Sequence, residues 1–269
     1  MSRKLAFAAT VALAALAATP ITAAAQDSAP AAAPAARPAS AAERATYART
    51  DALTRSVFWN HQLQINPADA EAGLGLASAL RELGQFDQSA AAAQQVLLAH
   101  PNNIDAMLAA GRAHIARGQG FYAIAPLEQA KAAAPRDWRP LSLLGVAYEQ
   151  VQRTQDARQI WTEALALSPD NPAVLSNMAM AMAAAGQAVE AEQLLRRAAA
   201  QPTATIQVRQ NLALVLGLQG KTAEAEQIIR RDLPPEQAEQ NLTWLRRQTT
   251  ASPPAAVGGA RTWESLQGG

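Results

Sequence analysis

The chain has 269 residues, and its 23 lysines and arginines nearly balance its 22 aspartates and glutamates. This balance excludes the basic surface that marks nucleic-acid-binding domains. There is no cysteine, which excludes disulfides and also excludes lipid attached through a cysteine.

The N-terminal segment predicts an exported protein. Arg3 and Lys4 precede the apolar run 5–18, and the alanines of 23–25 provide an A-x-A site, as in a secretory signal peptide. We predict cleavage after Ala25, which removes two of the 23 basic residues and none of the 22 acidic ones. The alternative is a retained membrane anchor, although the run is shorter than the ~20 residues that span a bilayer.

Two segments are predicted between the signal peptide and the main body of the chain. Residues 26–42 are rich in alanine and proline, and we expect a disordered linker there. One helix is predicted over 40–64, because Ser40 and Glu43 form a capping-box pattern. Pro67 follows soon after and would end this helix.

From Pro67 onward the chain repeats itself at one constant interval. Proline, residues that favour helix N-caps, small residues and turn glycines each recur at this interval. The repeated positions are Pro67, Pro101, Pro135 and Pro169, then Asp69, Asn103, Asp137, Asn171 and Thr205, then Ala77, Gly111, Gly145, Ala179 and Ala213, then Gly84, Gly118, Gly186 and Gly220. Side-chain oxygens at the cap positions can accept from the free N–H groups of the helix that follows. Each period is therefore predicted to contain two helices joined by a turn.

Repeat three, 138–171, shows the pattern most completely. Gly145 and Ala157 are small, which predicts a close approach of two helices, and Trp161 is expected to fill the space toward the next repeat. Gln152 takes the place of the turn glycine, so this turn is less well specified. Together with a period of about 34 residues, these features resemble the tetratricopeptide (TPR) repeat.

The resemblance implies an all-α, right-handed superhelical solenoid of helix–turn–helix repeats. We place a TPR domain at 43–248, with flanking helices that cap its two ends, and a flexible tail at 249–269. Trp263 and Leu266 in this tail are expected to dock on the last helix, to form a short recognition motif, or to be disordered. The five full repeats are 70–103, 104–137, 138–171, 172–205 and 206–239.

The concave face of such an array is where we expect a partner to bind, and the first helix of each repeat should line it. The lining positions include Arg81, Asn177 and Asn211. The two asparagines are one full repeat apart, so they occupy equivalent points, and an amide can donate to and accept from an extended backbone. The alternatives are that each asparagine caps a neighbouring helix or is solvated. The candidate groove residues are Arg112, Arg139, Ser142, Asn177, Met180, Gln207 and Asn211.

No pattern in the sequence favours catalysis. The segment 217–222 resembles the end of a phosphate-binding loop, but Val215 stands where that motif needs its first glycine. His61, His100 and His114 lack carboxylates at metal-ligand spacing. We therefore expect no catalytic residue, no metal and no cofactor, and we expect that the chain is not an enzyme.

The end of the array resembles a particular family. Residues 208–247 contain RQNLALVLGLQG followed by DLPPEQA. This segment is similar to the C-terminal repeat and closing helix of TadD, the TPR family of bacterial tight-adherence (Flp) pilus assembly systems. The resemblance covers roughly 70–248 and is strongest at the end. Members of that family are typically outer-membrane lipoproteins in the periplasm, and this chain departs from them because it lacks a lipidation cysteine.

The resemblance implies a non-catalytic periplasmic scaffold that binds a component of the pilus secretion system. The missing cysteine favours a soluble form of it. The alternatives are a general periplasmic TPR adaptor in envelope assembly or protein quality control, and an accessory subunit of an enzyme. A protein partner is expected, whereas nucleic acid and a transmembrane segment after signal cleavage are not. The oligomeric state is left open.

Overall fold

The computed structural model describes residues 37–250, with side chains to residue 247, and every regular element in this range is an α-helix. In chain order the helices are α1 (Ala41–Tyr47), α2 (Ala52–Ile65), α3 (Ala70–Glu82), α4 (Phe86–Ala99), α5 (Ile104–Ala116), α6 (Gly120–Ala133), α7 (Trp138–Gln150), α8 (Thr154–Leu167), α9 (Pro172–Ala184), α10 (Ala188–Ala199), α11 (Ile206–Leu218), α12 (Thr222–Asp232) and α13 (Pro235–Thr250). No helix within 37–250 is both long and apolar enough to cross a membrane. The predicted signal peptide, residues 26–36 of the linker, and Trp263 and Leu266 lie outside the described residues.

The first helices of the five repeats begin at a constant interval along the chain because the same kind of cap starts each of them. Each predicted cap side chain accepts a backbone N–H two or three residues ahead, at 2.9–3.4 Å. The cap predictions are therefore confirmed for α3, α5, α7, α9 and α11. The second helices α4, α6, α8, α10 and α12 have no side-chain cap hydrogen bond.

The prolines stop the second helices by acting on the residue in front of them. α8 ends at Leu167, and Ser168, just before Pro169, has φ −140° and ψ 84°. A proline ring disfavours helical angles in the preceding residue. The helical turn therefore cannot continue through Ser168, and the chain bends into the next repeat.

The turns within the repeats require a left-handed residue. Gly84, Gly118, Gly186 and Gly220 have φ between 71° and 84°, a region that costs glycine little. Gln152 adopts the same conformation in repeat three, with φ 61°. The turn is thus kept without glycine, at the steric cost of a side chain with positive φ.

Small residues allow the two helices of a repeat to pack closely. A Cβ atom added at Gly145 would clash with the indole of Trp161, and one added at Gly111 would lie 2.6 Å from Leu127. The Trp161 indole donates to the carbonyl oxygen of Ser142 at 3.0 Å and is 1% exposed. Gly145 and Ser142 both lie on α7. Trp161 therefore packs on the first helix of its own repeat, and it belongs to the same buried core cluster as Val174 of the next repeat.

The helices form two layers. Successive first helices contact one another from α3 through α5, α7 and α9 to α11. Among the described residues, no two successive second helices make contact of that extent. The second helices are therefore spread further apart than the first helices, and the first helices form the inner, concave layer.

The N-terminal end differs from the prediction. The capping box is confirmed, since the Ser40 backbone donates to Glu43 at 2.7 Å and the Glu43 backbone donates to the Ser40 hydroxyl at 3.3 Å. The single helix predicted over 40–64 is wrong. It is divided into α1 and α2 because Asp51 caps a new helix by accepting the N–H of Thr54 at 2.9 Å.

The two ends of the array are covered by flanking helices. Trp59 of α2 is 4% exposed and lies against Gly75 of α3. At the other end, Leu242 and Leu245 of α13 are buried, and Leu245 lies on Gly217 of α11. Each flanking helix thus buries the apolar face that the neighbouring repeat would otherwise expose.

Candidate protein-binding groove

The concave layer carries all seven candidate residues. Arg112 lies on α5, Arg139 and Ser142 on α7, Asn177 and Met180 on α9, and Gln207 and Asn211 on α11. Their accessibility differs. Gln207 and Arg112 are exposed, and Arg139, Asn177 and Asn211 are half-buried. Ser142 and Met180 are only 3% and 6% exposed, so they lie beneath the groove surface and support its floor.

The two asparagines link successive repeats. The Asn177 amide donates to the Ser142 hydroxyl at 3.1 Å, and the Asn211 amide donates to the Ser176 hydroxyl at 2.9 Å. Both serines are buried, so each amide satisfies a hydroxyl that would otherwise lack a partner for its oxygen. We call these two bonds the Asn–Ser ladder. Neither the helix-cap alternative nor the solvated alternative describes these asparagines.

The ladder fixes the direction of each amide. The Asn211 carbonyl oxygen accepts from Gln207 at 3.1 Å. The Asn177 carbonyl oxygen has no partner within the described part of the chain. An amide has two donor hydrogens and one acceptor oxygen, so after the ladder bond each asparagine keeps hydrogen-bonding capacity. These amides are therefore held in place and can still bond to another chain.

Arg139 is largely occupied by neighbouring carboxylates. Its guanidinium lies 2.6 Å from Asp137 and 2.9 Å from Asp105. The hydrogen bond to Asp137 is the main cause of a raised Arg139 pKa. Asp137 also caps α7, so this arginine supports the start of a helix and offers little free charge to a partner.

Arg112 is in the opposite situation. It has no hydrogen-bond or ion-pair partner within the described residues. Desolvation by the walls of the groove lowers its pKa, and the positive charges of Arg81 and Arg139 lower it further. An arginine stays protonated despite such a shift. Arg81 is a lining position but not one of the seven candidates, and it is the other arginine on this surface without a partner among the described residues.

The features that resemble chemical sites have structural roles. Gly220 forms the turn with φ 77°, and the Lys221 ammonium lies 2.5 Å from Glu192, so this lysine is paired within the fold. His100 bonds to the Ala68 carbonyl oxygen at 2.7 Å. Within 37–250 no group of three or more acidic or histidine side chains is arranged to hold a metal ion.

One exposed aromatic pair is not among the candidates predicted from the sequence. Phe121 and Tyr122, at the start of α6, are 72% and 60% exposed, and their rings meet edge to face at 5.6 Å. The His114 ring lies 5.9 Å from Tyr122. The signal was present as two adjacent aromatic residues at a position where the other repeats have at most one. They belong to the second-helix layer, outside the groove.

Comparison with known proteins agrees with this geometry. Residues 71–103 and 148–210 match family models described as tetratricopeptide repeat. A TPR protein of Thermus thermophilus is similar over 61% of this chain and 90% of its own, with 22% identity and a TM-score of 0.55. A TPR protein of Parabacteroides merdae is similar over 77% of this chain and 86% of its own, with 11% identity and a TM-score of 0.63.

No curated protein matches the chain significantly. At 22% and 11% identity, the two solved structures show the fold alone. Together with the paired helices and the family models, they show that the fold is an all-α solenoid of TPR repeats.

Proposed function

We propose that this chain is a non-catalytic periplasmic scaffold for Flp (Tad) pilus assembly. In this proposal it holds a component of the secretion system in the groove formed by its first helices. The observation that carries the proposal is the resemblance of residues 208–247 to the closing repeat of the TadD family, because generic TPR features do not require that sequence. The fold supports the scaffold part of the proposal, since TPR arrays bind other proteins.

The groove supplies suitable contacts for an extended segment. Asn177 and Asn211 are held in place by the Asn–Ser ladder, and Gln207 is exposed beside them. A binding surface whose side chains are already ordered loses less conformational entropy on binding. Backbone amides and carbonyls of a partner are the matching groups for such side chains.

The periplasmic location is part of the proposal and rests on the pattern of residues 3–25. N-terminal sequencing of the mature protein should begin at Gln26, and the protein should be in the periplasmic fraction. Recovery of a chain that still begins at Met1, in detergent-extracted membrane only, would contradict this. A urea wash of that membrane would distinguish a retained anchor from attachment through a partner.

A general periplasmic TPR adaptor is the second candidate. It is favoured by one observation, the absence of a lipidation cysteine, since the family that the C-terminal segment resembles is typically lipid-anchored. Such an adaptor would use the same groove for clients unrelated to pili.

Site-specific photo-crosslinking in living cells tests the proposal. A photoreactive amino acid replaces Gln207 in the groove, and in a matched strain it replaces Gln159, which is exposed on α8 in the second-helix layer. Mass spectrometry then identifies the crosslinked proteins. We expect the secretin or another pilus assembly component from position 207 and not from position 159.

Two results would contradict the proposal. Equal crosslinking from both positions would show that the groove is not the surface that binds the partner. Reproducible crosslinks from position 207 to envelope proteins unrelated to pili would replace the pilus function by the general adaptor.

A further inference from the structure

The acidic side chains at the N-terminal end of the groove are all engaged. Residues 69–137 contain seven aspartates and glutamates, and each has a hydrogen-bond or ion-pair partner within the described chain. Six of them pair with an arginine and the seventh accepts the hydroxyl of Tyr148. The pairs are Asp69 and Glu71 with Arg44, Glu82 with Arg55, Asp87 with Arg117, Asp105 and Asp137 with Arg139, and Glu128 with Tyr148.

Two arginines on the concave layer are left without any of these partners. Arg81 lies in the last turn of α3 and Arg112 lies on α5, the next helix of the same layer. Neither guanidinium has a hydrogen-bond or ion-pair partner in the part of the chain that the structure describes. They are close enough for the charge of Arg81 to lower the pKa of Arg112.

Such a pair destabilises the folded chain by itself. Two like charges repel, and the concave wall around Arg112 removes part of the water that would screen them. Asp105 and Asp137 offset this repulsion only in part, because both carboxylates are paired with Arg139. A negatively charged ligand that bridges the two guanidinium groups would remove the repulsion and gain charge-assisted hydrogen bonds.

We infer that Arg81 and Arg112 form a carboxylate-binding site for an acidic stretch of a protein partner. The inference rests on the proposed function, in which the groove holds an extended segment. Aspartate and glutamate side chains fit because a guanidinium binds a carboxylate through two parallel hydrogen bonds. The partner segment is thus acidic where it crosses α3 and α5. It is uncharged where it crosses α9 and α11, because the side-chain amides of Asn177 and Asn211 offer polar contacts without charge.

Fluorescence anisotropy with a labelled hexaglutamate peptide tests the site, and hexaglutamine serves as the neutral probe. The test variant is Arg81→Gln with Arg112→Gln. The control variant is Arg136→Gln with Arg158→Gln, which removes the same charge from two exposed arginines whose guanidinium groups also lack partners within the described residues. Arg136 lies in the turn before α7, and Arg158 lies on α8 in the second-helix layer.

We expect the full-length mature chain to bind hexaglutamate and not hexaglutamine. The test variant should bind hexaglutamate at least about tenfold more weakly, and the control should stay within about twofold of the unmodified chain. The affinity of the unmodified chain should fall as salt rises, and this dependence should be smaller in the test variant. Equal losses in both variants would overturn the inference, because net charge alone would then explain binding.

Thermal melting shows whether the arginines have a structural role. The test variant should melt at the same temperature as the unmodified chain or higher, since a repulsion is removed. A lower melting temperature together with retained hexaglutamate binding would overturn the inference. Tighter binding of a phosphoserine peptide of matched length would also overturn it, because a phosphate would then be the ligand.

The inference and the proposed function fail in different ways. If position 207 crosslinks a pilus component and the test variant still retains it fully, the carboxylate site is wrong and the scaffold function stands. If hexaglutamate binds through Arg81 and Arg112 but no pilus component crosslinks, the site stands and the pilus function is wrong.

Discussion

The two ends of the groove are built from the same repeat but differ in chemistry. At α3 and α5 the sixth position of the helix is Gly75 or Ala109, so there is no asparagine to link one repeat to the next. At α9 and α11 the same position is Asn177 or Asn211, and both bond to a serine of the preceding repeat. The N-terminal end has unpaired charge, whereas the C-terminal end has neutral amides that are held in place.

This difference shows how one scaffold can carry two kinds of recognition. The backbone positions are set by caps, turns and small core residues that recur once in every repeat. The residues that line the groove are not needed to set the backbone positions, and they vary from one repeat to the next. We therefore expect the groove to recognise a partner by charge at its N-terminal end and by hydrogen bonding at its C-terminal end.

The largest expected effect on stability comes from a substitution in the core of repeat three, which lies between the two ends of the groove. Gly145→Leu should destabilise the fold by about 3 kcal/mol, because the new side chain clashes with Trp161 in a well-packed core. Thermal unfolding measures this. The double variant Gly145→Ala with Trp161→Leu recreates the Ala179 and Leu195 combination of repeat four and should recover much of the loss. An unchanged melting temperature for Gly145→Leu would show that our helix register is wrong.

The Asn–Ser ladder should contribute stability only at the C-terminal end. Asn177→Ala with Asn211→Ala removes the two ladder hydrogen bonds and leaves two buried hydroxyls, at about 0.5–1.5 kcal/mol each, together with the exposed bond between Gln207 and Asn211. Because neither residue is charged, salt should not change the loss. Denaturant unfolding at two ionic strengths checks this. Asn102→Ala, in an exposed turn, is the control and should have almost no effect. Equal effects from the control and the double variant would rule out the ladder as a stabilising feature.

Acid should weaken the link between repeats four and five. The Lys221 ammonium, together with Arg196, lowers the pKa of Glu192 from 4.5 to about 2. A carboxylate whose folded pKa is depressed stabilises the fold above its unfolded pKa. This stabilisation is lost as the pH falls from 4.5 toward about 2. Melting curves across this window should show a smaller decline for Glu192→Gln than for the unmodified chain. An identical decline in both would contradict the assignment.

The smallest expected effect concerns the one repeat whose turn has no glycine. Gln152→Gly should stabilise the chain by about 0.5–1 kcal/mol, since the positive φ of Gln152 costs an L residue more than it costs glycine. The matched control is Gln159→Gly, which places glycine in the interior of α8 and should destabilise by about 1 kcal/mol. Denaturant midpoints compare the two. If both substitutions destabilise equally, the left-handed turn is not a source of strain.

The sequence predicts the hairpins well because their determinants are local. A cap residue acts on amides two or three positions away, and a proline acts on the residue before it, so both can be read from spacing. Groove contacts are different. Arg139 is a groove candidate in the sequence, but it pairs with Asp105, 34 positions earlier, and only the stacking of two repeats brings them together.

Some long-range contacts left a signal that could have been read. Ser142 and Asn177 are 35 residues apart, and so are Ser176 and Asn211, one more than the repeat length. A search for pairs of polar residues near the repeat length would have found the ladder. The break between α1 and α2 has a local signal too, because Asp51 is an N-cap residue type inside the predicted helix. In contrast, Pro126 lies within α6, although a proline inside a helix removes a backbone hydrogen bond and normally disfavours the helix.

The difference between the two ends of the groove is tested most directly by NMR. In a spectrum of the isotope-labelled mature chain, hexaglutamate should shift the arginine Nε–Hε signals of Arg81 and Arg112 and the backbone amides of α3 and α5. The amides of α9 and α11 should stay unchanged. Shifts concentrated on α9 and α11, or on the second helices, would contradict the account.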